Sequence, residues 1–228
     1  MKILETLKKS TIPLTSTVIH DDYIKASEKA FDCTFNGTST FFPWEKPTKL
    51  PKDYNIGVIY GTSGSGKTTL LGQFGCPSVQ AWDNNKAIIS HFDSPGDGIN
   101  KLSAVGLNSI PSWYKSYDVL SNGERFRADL SRHIMDGAVV DEFSSVVDRN
   151  VAKSSSVALS KYIKRNNIKN VVISTCHEDV LDWLEPDWVI NTNNGEVYDG
   201  DFTNDQISIS KYIEQTTVSG QCLKVITI

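Results

Sequence analysis

The chain has 228 residues, 39% of them hydrophobic, and 23 Lys and Arg against 27 Asp and Glu leave a formal net charge of −4. That length suits one domain with a full core, and that charge excludes a chain-wide polycation of the kind that coats nucleic acid. The cysteines Cys33, Cys76, Cys176 and Cys222 form no CxxC pair and no zinc spacing, which predicts free thiols in a reducing compartment.

The first ten residues, MKILETLKKS, hold no apolar stretch, so no signal peptide is expected. No run approaches the roughly 18 apolar residues of a membrane span. The expected location is the cytoplasm, without direct membrane insertion. Residues 1–54 are predicted to be β-rich, with strand pieces at 15–19 and 38–42, a short helix over 23–31, and breaks at Pro43, Pro47 and Pro51. Residues 56–60 (IGVIY) read as a buried strand that feeds a glycine loop, and 68–74 as the helix after it, closed by Gly75 and Pro77. Residues 76–119, rich in Gly, Ser and Pro, are expected to be irregular. Phe126, Leu130 and Ile134 recur at helical spacing and predict a helix over 124–135. Further elements are a strand at 138–140, a helix at 151–165, a strand at 171–174, a helix at 178–184 and a strand at 188–190. The tail from 197 to 228 reads as a hairpin with a short helix near 209–213.

Strands alternating with helices predict an α/β fold with a mainly parallel central sheet and right-handed crossovers. The chain is read as one domain, 1–228. It divides into a β-rich part (1–54), a P-loop core (55–75 and 136–200), a compact helical or irregular insert (76–135) and a C-terminal extension (201–228).

The spacing Gly61-x-x-x-x-Gly66-Lys67-Thr68 is a full Walker A match, between an apolar strand and a helix. Glycines let successive backbone N–H groups converge on phosphate oxygens. Lys67 is expected to reach the β- and γ-phosphates and Thr68 to ligate Mg²⁺. Thr62, Ser63, Gly64, Ser65 and Thr69 complete the nucleotide loop. Asp141 ends the strand at 138–140, where ligands of α/β sheets collect. Its expected work is Mg²⁺ binding through water, which suits an ion that prefers oxygen ligands. Glu142, one residue on, is placed to accept a proton from the attacking water. Cys176 beside His177 suggests a Cys–His pair, but adjacent residues at a strand end diverge. Ser121-Asn122-Gly123-Glu124 reads as a capping box opening a helix. Such a capped N-terminus also offers N–H and hydroxyl donors to an anion. Arg127, on that helix, is expected to be solvated. Lys153, Lys161, Lys164, Arg165 and Lys169 could line a nucleic-acid contact, with a solvated helix face as the plainer reading.

With these motifs in order, the chain resembles the ABC ATPase family over about residues 28–200. The resemblance makes Gly61 to Thr69 the Walker A loop and Leu120-Ser121-Asn122-Gly123-Glu124 the signature. It makes Val139 to Glu142 Walker B, with Glu142 the catalytic base, Asp148 the D-loop acid and His177 the γ-phosphate switch. It implies an adenine-stacking aromatic, for which Phe31 is the candidate and Phe41, Phe42 and Trp44 are rivals. It also implies an ATP-dependent homodimer, with ATP and Mg²⁺ between one copy's Walker A loop and the other's signature.

Residues 82–92, 102–113 and 176–188 are similar to small soluble ABC ATPases of phages and mobile elements. These are often fused or adjacent to acetyltransferase-like proteins. That wording implies an acetyltransferase-like or nucleic-acid-processing partner and, for a phage protein, the host cytoplasm. Asn122 departs from the first glycine of LSGGQ and Glu124 from its glutamine. No glutamine stands at the usual Q-loop place; His91 is the candidate there, as a metal ligand, with Gln80 its rival. The interval between Lys67 and Leu120 is short for a transporter subunit. The expected function is ATP hydrolysis driving a conformational cycle. A detached transporter ATPase or a P-loop kinase-like transferase are the alternatives.

Lys67→Ala is expected to abolish ATP binding. Calorimetric titration checks this, and an unchanged affinity would remove the phosphate-loop assignment.

Overall fold

A computed structural model describes residues 2–77 and 80–200. The hairpin and helix expected in the tail lie outside the described residues beyond 200.

The longest apolar strands form the centre of a six-stranded sheet. β4 (Ile56–Tyr60) and β6 (Val171–Thr175) pair in parallel, with Ile56 opposite Val171 and Tyr60 opposite Thr175. On the other side of β4, β7 (Trp188–Asn191) is also parallel, with Gly57 opposite Trp188. β5 (Val139–Val140) joins β6 in parallel at one edge. At the far edge β8 (Glu196–Asp199) folds back antiparallel to β7, and β1 (Ile3–Thr6) pairs antiparallel with β8.

A strand buried on both faces must be apolar throughout, and every residue of β6 is buried. Period-two alternation divides the core. Ile56, Val58, Val171, Ile173 and Val189 face one layer, while Ile59, Val172, Trp188 and Ile190 face the other. The first layer is filled from α3 (Pro95–Ala104), α5 (Asn122–His133), α6 (Arg149–Arg165) and α7 (Val180–Leu184) by Leu102, Leu130, Leu159, Ile163 and Leu184. The second is filled by Leu70 and Leu71 of α2 (Lys67–Leu71), with Leu7 and Val197.

Trp188 is fully buried and stands over the centre of β4. Phe74 stacks on it at 5.5 Å and Tyr54 meets it edge-on at 5.3 Å. A Cβ at Gly57 would lie 2.0 Å from the Trp188 ring, so the indole occupies the space that glycine leaves.

The N-terminal part is a separate antiparallel pair, β2 (Leu14–Thr17) with β3 (Thr38–Phe41), connected through α1 (Asp22–Phe31). No residue of α1 is buried.

Several expectations are corrected. Residues 76–119 are more ordered than their composition suggested. α3 starts on a Ser94 cap with Pro95 in its first turn, and α4 (Ile110–Trp113) follows, with 3₁₀ turns at Ile88–His91 and Tyr117–Val119. α5 begins two residues before 124 because Ser121 caps it. α6 begins two residues before 151 because Asp148 caps it, accepting from the N–H groups of Asn150 and Val151. β1 had no local signal, since its pairing comes from β8, almost the whole chain away.

Gly57→Ala is expected to cost about 1–3 kcal/mol, the usual penalty for forcing extra volume into a packed core. Chemical denaturation checks it, and a variant as stable as the parent would show that Trp188 has room to move.

Candidate nucleotide-binding site

Four parallel strands end at one edge of the sheet. Tyr60 pairs with Thr175 and Asn191, so Gly61, Cys176 and Thr192 leave the sheet side by side, and Val140 pairs with Ile173, so Asp141 leaves it beside Ser174, two residues earlier on β6. This edge is where open α/β sheets bind their ligands.

The loop from Gly61 to Lys67 is held by three groups of contacts. Its own lysine folds over it, Lys67 Nζ donating to the carbonyls of Gly61 and Thr62 at 2.8 Å each. From the β7–β8 turn, Asn193 Oδ1 accepts from the Thr62 N–H and from the Thr62 hydroxyl, both at 2.9 Å. Thr192 Oγ1 lies 2.6 Å from Ser65 Oγ. From the N-terminal part, the Trp44 indole N–H donates to the Ser65 carbonyl at 3.1 Å.

Two glycines are required here. A Cβ at Gly61 would sit 2.2 Å from Thr192 Oγ1, and Gly66 has φ +95° with Phe41 only 2.8 Å from where its Cβ would be. Ser63, Gly64 and Thr68 are exposed, leaving the outer rim of the loop and the Thr68 hydroxyl accessible; Thr69 is half-buried. Thr192 and Asn193 were missed from sequence. Their signal was a polar Thr-Asn-Asn-Gly directly after a buried strand. The aromatics against the loop are Phe41 and Trp44, with Lys9 Nζ 3.5 Å above the Trp44 ring. Phe31, the first choice for stacking adenine, ends α1 with 81% of its surface exposed, and Phe42 is exposed as well.

The acidic pair is fixed by Ser174, a fully buried residue of β6. Its hydroxyl donates to Asp141 Oδ1 and accepts from the Glu142 N–H at 3.2 Å. Glu142 and Ser144 both have left-handed backbones, φ +49° and +65°. Such conformations cost non-glycine residues energy and persist only where the surroundings enforce them. Phe143, between them, does so. It is fully buried, its N–H donates to the Ser174 carbonyl at 2.8 Å, and its ring meets Phe126 at 5.5 Å. Glu142 is exposed at this reversal. Ser144 then reaches His177, with 3.3 Å between Oγ and Nδ1. Burial holds the His177 imidazole below the usual histidine range; Arg149 adds to this and Asp179 opposes it.

A cleft of about 810 Å³ opens between the insert and these acids, lined by Gln80, Trp82, Tyr117, Phe126, Asp141 and Glu142 among others. Gln80 therefore shares a cleft with the acidic pair. His91, the expected metal ligand, has both ring nitrogens engaged within the insert. Its Nε2 accepts from the Asp83 N–H and its Nδ1 faces the Ala87 carbonyl, both at 3.0 Å, so neither nitrogen keeps a lone pair for an ion.

The signature segment opens α5 through a complete capping box. Ser121 accepts from the Glu124 N–H, and Glu124 Oε2 accepts from the Ser121 N–H at 2.9 Å. Glu124 Oε1 also accepts from Ser112 of α4 at 2.5 Å. That hydrogen bond first, and the backbone one second, pull the Glu124 carboxyl down to about 2. Ser121 and Asn122 are exposed, and Gly123 is half-buried beside Val147. Arg127, expected in solvent, is instead half-buried and donates to the carbonyls of Gly123 and Gly106 at 3.0 Å each.

No protein-family description and no curated protein matches this sequence. Solved structures do. The dimeric structure of a post-hydrolysis state of an ATP-binding cassette bound to ADP and Pi is 12% identical and superposes with a TM-score of 0.54, over 87% of this chain and 99% of that one. The fold is that of an ATP-binding cassette. Two other ABC structures are similar at lower scores. They are a bacterial ABC transporter cassette dimer (15% identity, TM-score 0.46, 66% of this chain and 87% of that one) and an inward-facing putative metal-chelate type ABC transporter (16%, 0.49, 69% and 76%).

The basic residues of α6 and the turn after it are partly spent on structure. Lys164 pairs with Glu185 at 2.8 Å and Lys169 with Asp53 at 2.9 Å. No group of three or more His, Cys, Asp or Glu side chains among the described residues could hold a metal alone. A Mg²⁺ that takes one or two protein oxygens and completes its shell with phosphate and water fits the exposed Thr68 hydroxyl and the Asp141 carboxylate.

Glu124 makes the stability of the fold depend on pH on the acid side. Its folded-state pKa is depressed, so its stabilisation is complete above its ordinary value of 4.5 and is lost as pH falls towards about 2. Glu124→Gln is expected to flatten that part of the stability curve. Denaturation midpoints between about pH 5 and pH 2 check this, and an unchanged slope would contradict it.

Proposed function

We propose that the chain is an ATPase that binds Mg·ATP and hydrolyses it in a head-to-tail dimer. One observation carries this reading: the phosphate loop, the Asp141–Glu142 pair and the His177 turn all follow the carboxyl ends of neighbouring parallel strands, and the capped α5 terminus is exposed and available to a second copy. A second copy, turned head to tail, would bring Ser121, Asn122 and Gly123 to the γ-phosphate side of the first copy's loop. The dimeric state of the ADP- and Pi-bound cassette whose fold this chain shares supports that arrangement.

In this reading the loop N–H groups and Lys67 bind the β- and γ-phosphates. Phe41, packed on Gly66, offers the nearest ring face for the base, ahead of Phe31. Thr68 and Asp141 hold Mg²⁺, which supplies charge neutralisation on the phosphates. Glu142, exposed at the end of β5, orients water and takes its proton. His177, kept neutral at physiological pH by burial and by Arg149, presents an uncharged imidazole to the γ-phosphate. Catalysis is then mainly positioning and electrostatic stabilisation of the phosphoryl group in flight. Asp148 caps α6 beside this edge and faces the same partner.

No helix among the described residues is long and apolar enough to cross a membrane. The likeness of residues 82–92, 102–113 and 176–188 to phage and mobile-element ATPases supports using the cycle in that setting, in the host cytoplasm, beside an acetyltransferase-like or nucleic-acid-processing protein.

Glu142→Gln purified with ATP is expected to elute as a trapped dimer on size exclusion, against a monomer without nucleotide. A variant saturated with ATP yet strictly monomeric would overturn the shared-site mechanism.

A further inference from the structure

Arg149 and Asp179 form an ion pair that neither the loop nor the acidic strand end requires. Arg149 is the first residue of α6, directly after the capping Asp148. Asp179 is two residues past His177 and leads into α7. The guanidinium engages both carboxylate oxygens, Nε at 2.9 Å from Oδ2 and the second nitrogen on Oδ1. Its carbon lies 5.2 Å from the centre of the Trp183 ring on α7. The remaining nitrogen, NH1, is enclosed without an acceptor, so the guanidinium leans on Asp179. A two-pronged Arg–carboxylate pair fixes orientation as well as distance.

We propose that Arg149 and Asp179 are positioning residues for His177, clamping the start of the helix after Asp148 to the turn that carries the imidazole. This rests on the ATPase reading of Glu142 and His177. Without the clamp the His177 turn is held by the Thr175 hydroxyl, which accepts the His177 N–H at 3.1 Å, and by the Ser144 contact. Both of those fix the turn from the β5–β6 side. The clamp fixes it from the α6 side, so a shift of Asp148 and α6 towards a partner copy moves the imidazole with it. The groups around the ring are Ser144 from the turn after β5, Cys176 and Glu178 beside it in the chain, Arg149 from α6 and Asp179 before α7. The two charges of the clamp act on the imidazole with opposite sign.

That opposition separates positioning from simple stability. The His177 ring titration is followed by NMR in the full chain, assigned by loss of its signal in His177→Gln. Arg149→Gln is expected to raise the His177 midpoint, Asp179→Asn to lower it, and the two together to compensate. Each single change is expected to lower kcat for ATP on the order of ten- to a hundredfold, as a misplacement of about 1 Å does, with a smaller change in KM. The exchange Arg149→Asp with Asp179→Arg is expected to recover part of the lost kcat. Midpoints that stay fixed, or that shift in the same direction, would overturn the clamp. If Arg149→Gln does not fold, Asp179→Asn and the exchanged pair still decide it. A parent protein without ATPase activity would defeat the proposed function and leave the midpoints to judge the clamp.

Discussion

The site depends on the parallel pairing of β4 with β6 on one side and β7 on the other. Parallel neighbours end at the same edge, so one register places Gly61, Cys176 and Thr192 together, and β5 adds Asp141 through β6. The register in turn needs β4 to be buried on both faces and to yield to Trp188 at Gly57. A one-residue slip would exchange the two core layers and point the loop away from the strand ends that brace it.

The loop is therefore braced from several separate parts of the chain. Asn193 and Thr192 come from the β7–β8 turn, and Trp44 and Phe41 from the N-terminal part. The acidic pair is treated likewise. Ser174 reaches across from β6, and the burial of Phe143 enforces the left-handed turn on either side of it. In both cases a residue expected to do chemistry is held by one that does none.

Legibility in the sequence followed the range of the signal. β4, β6 and β7 were visible as apolar runs, and Gly61 to Thr68 as a spacing, because burial and phosphate geometry act on neighbouring residues. α3 was passed over because its glycines, Gly96 and Gly98, hid the Ser94–Pro95 start. Gly98 is buried close to Phe92 and Ile89, so its lack of a side chain serves packing and not a break. β1 and the bracing by Trp44 were illegible, since both are pairings between distant segments. His91 stood in a plausible place but is used internally, which only the hydrogen bonds reveal. Arg127 read as a surface charge because its partners are carbonyls, which no residue letter records.

Lys67 closes the loop on itself by donating to the carbonyls of Gly61 and Thr62. Under the proposed function a phosphate would meet a loop that is already braced and an ammonium with two of its three N–H groups engaged. Binding is then an exchange of acceptors, two neutral carbonyls released for anionic oxygens, with little folding left to do. The ammonium makes both sets of bonds charge-assisted, but anionic oxygens add an ion pair that neutral carbonyls lack, so the exchange favours the anion. It also has a threshold: a weakly charged guest offers the lysine no better acceptors than its own backbone, and the loop keeps its ammonium. Under that reading, discrimination between a triphosphate and lesser anions begins with the choice of acceptor that Lys67 makes.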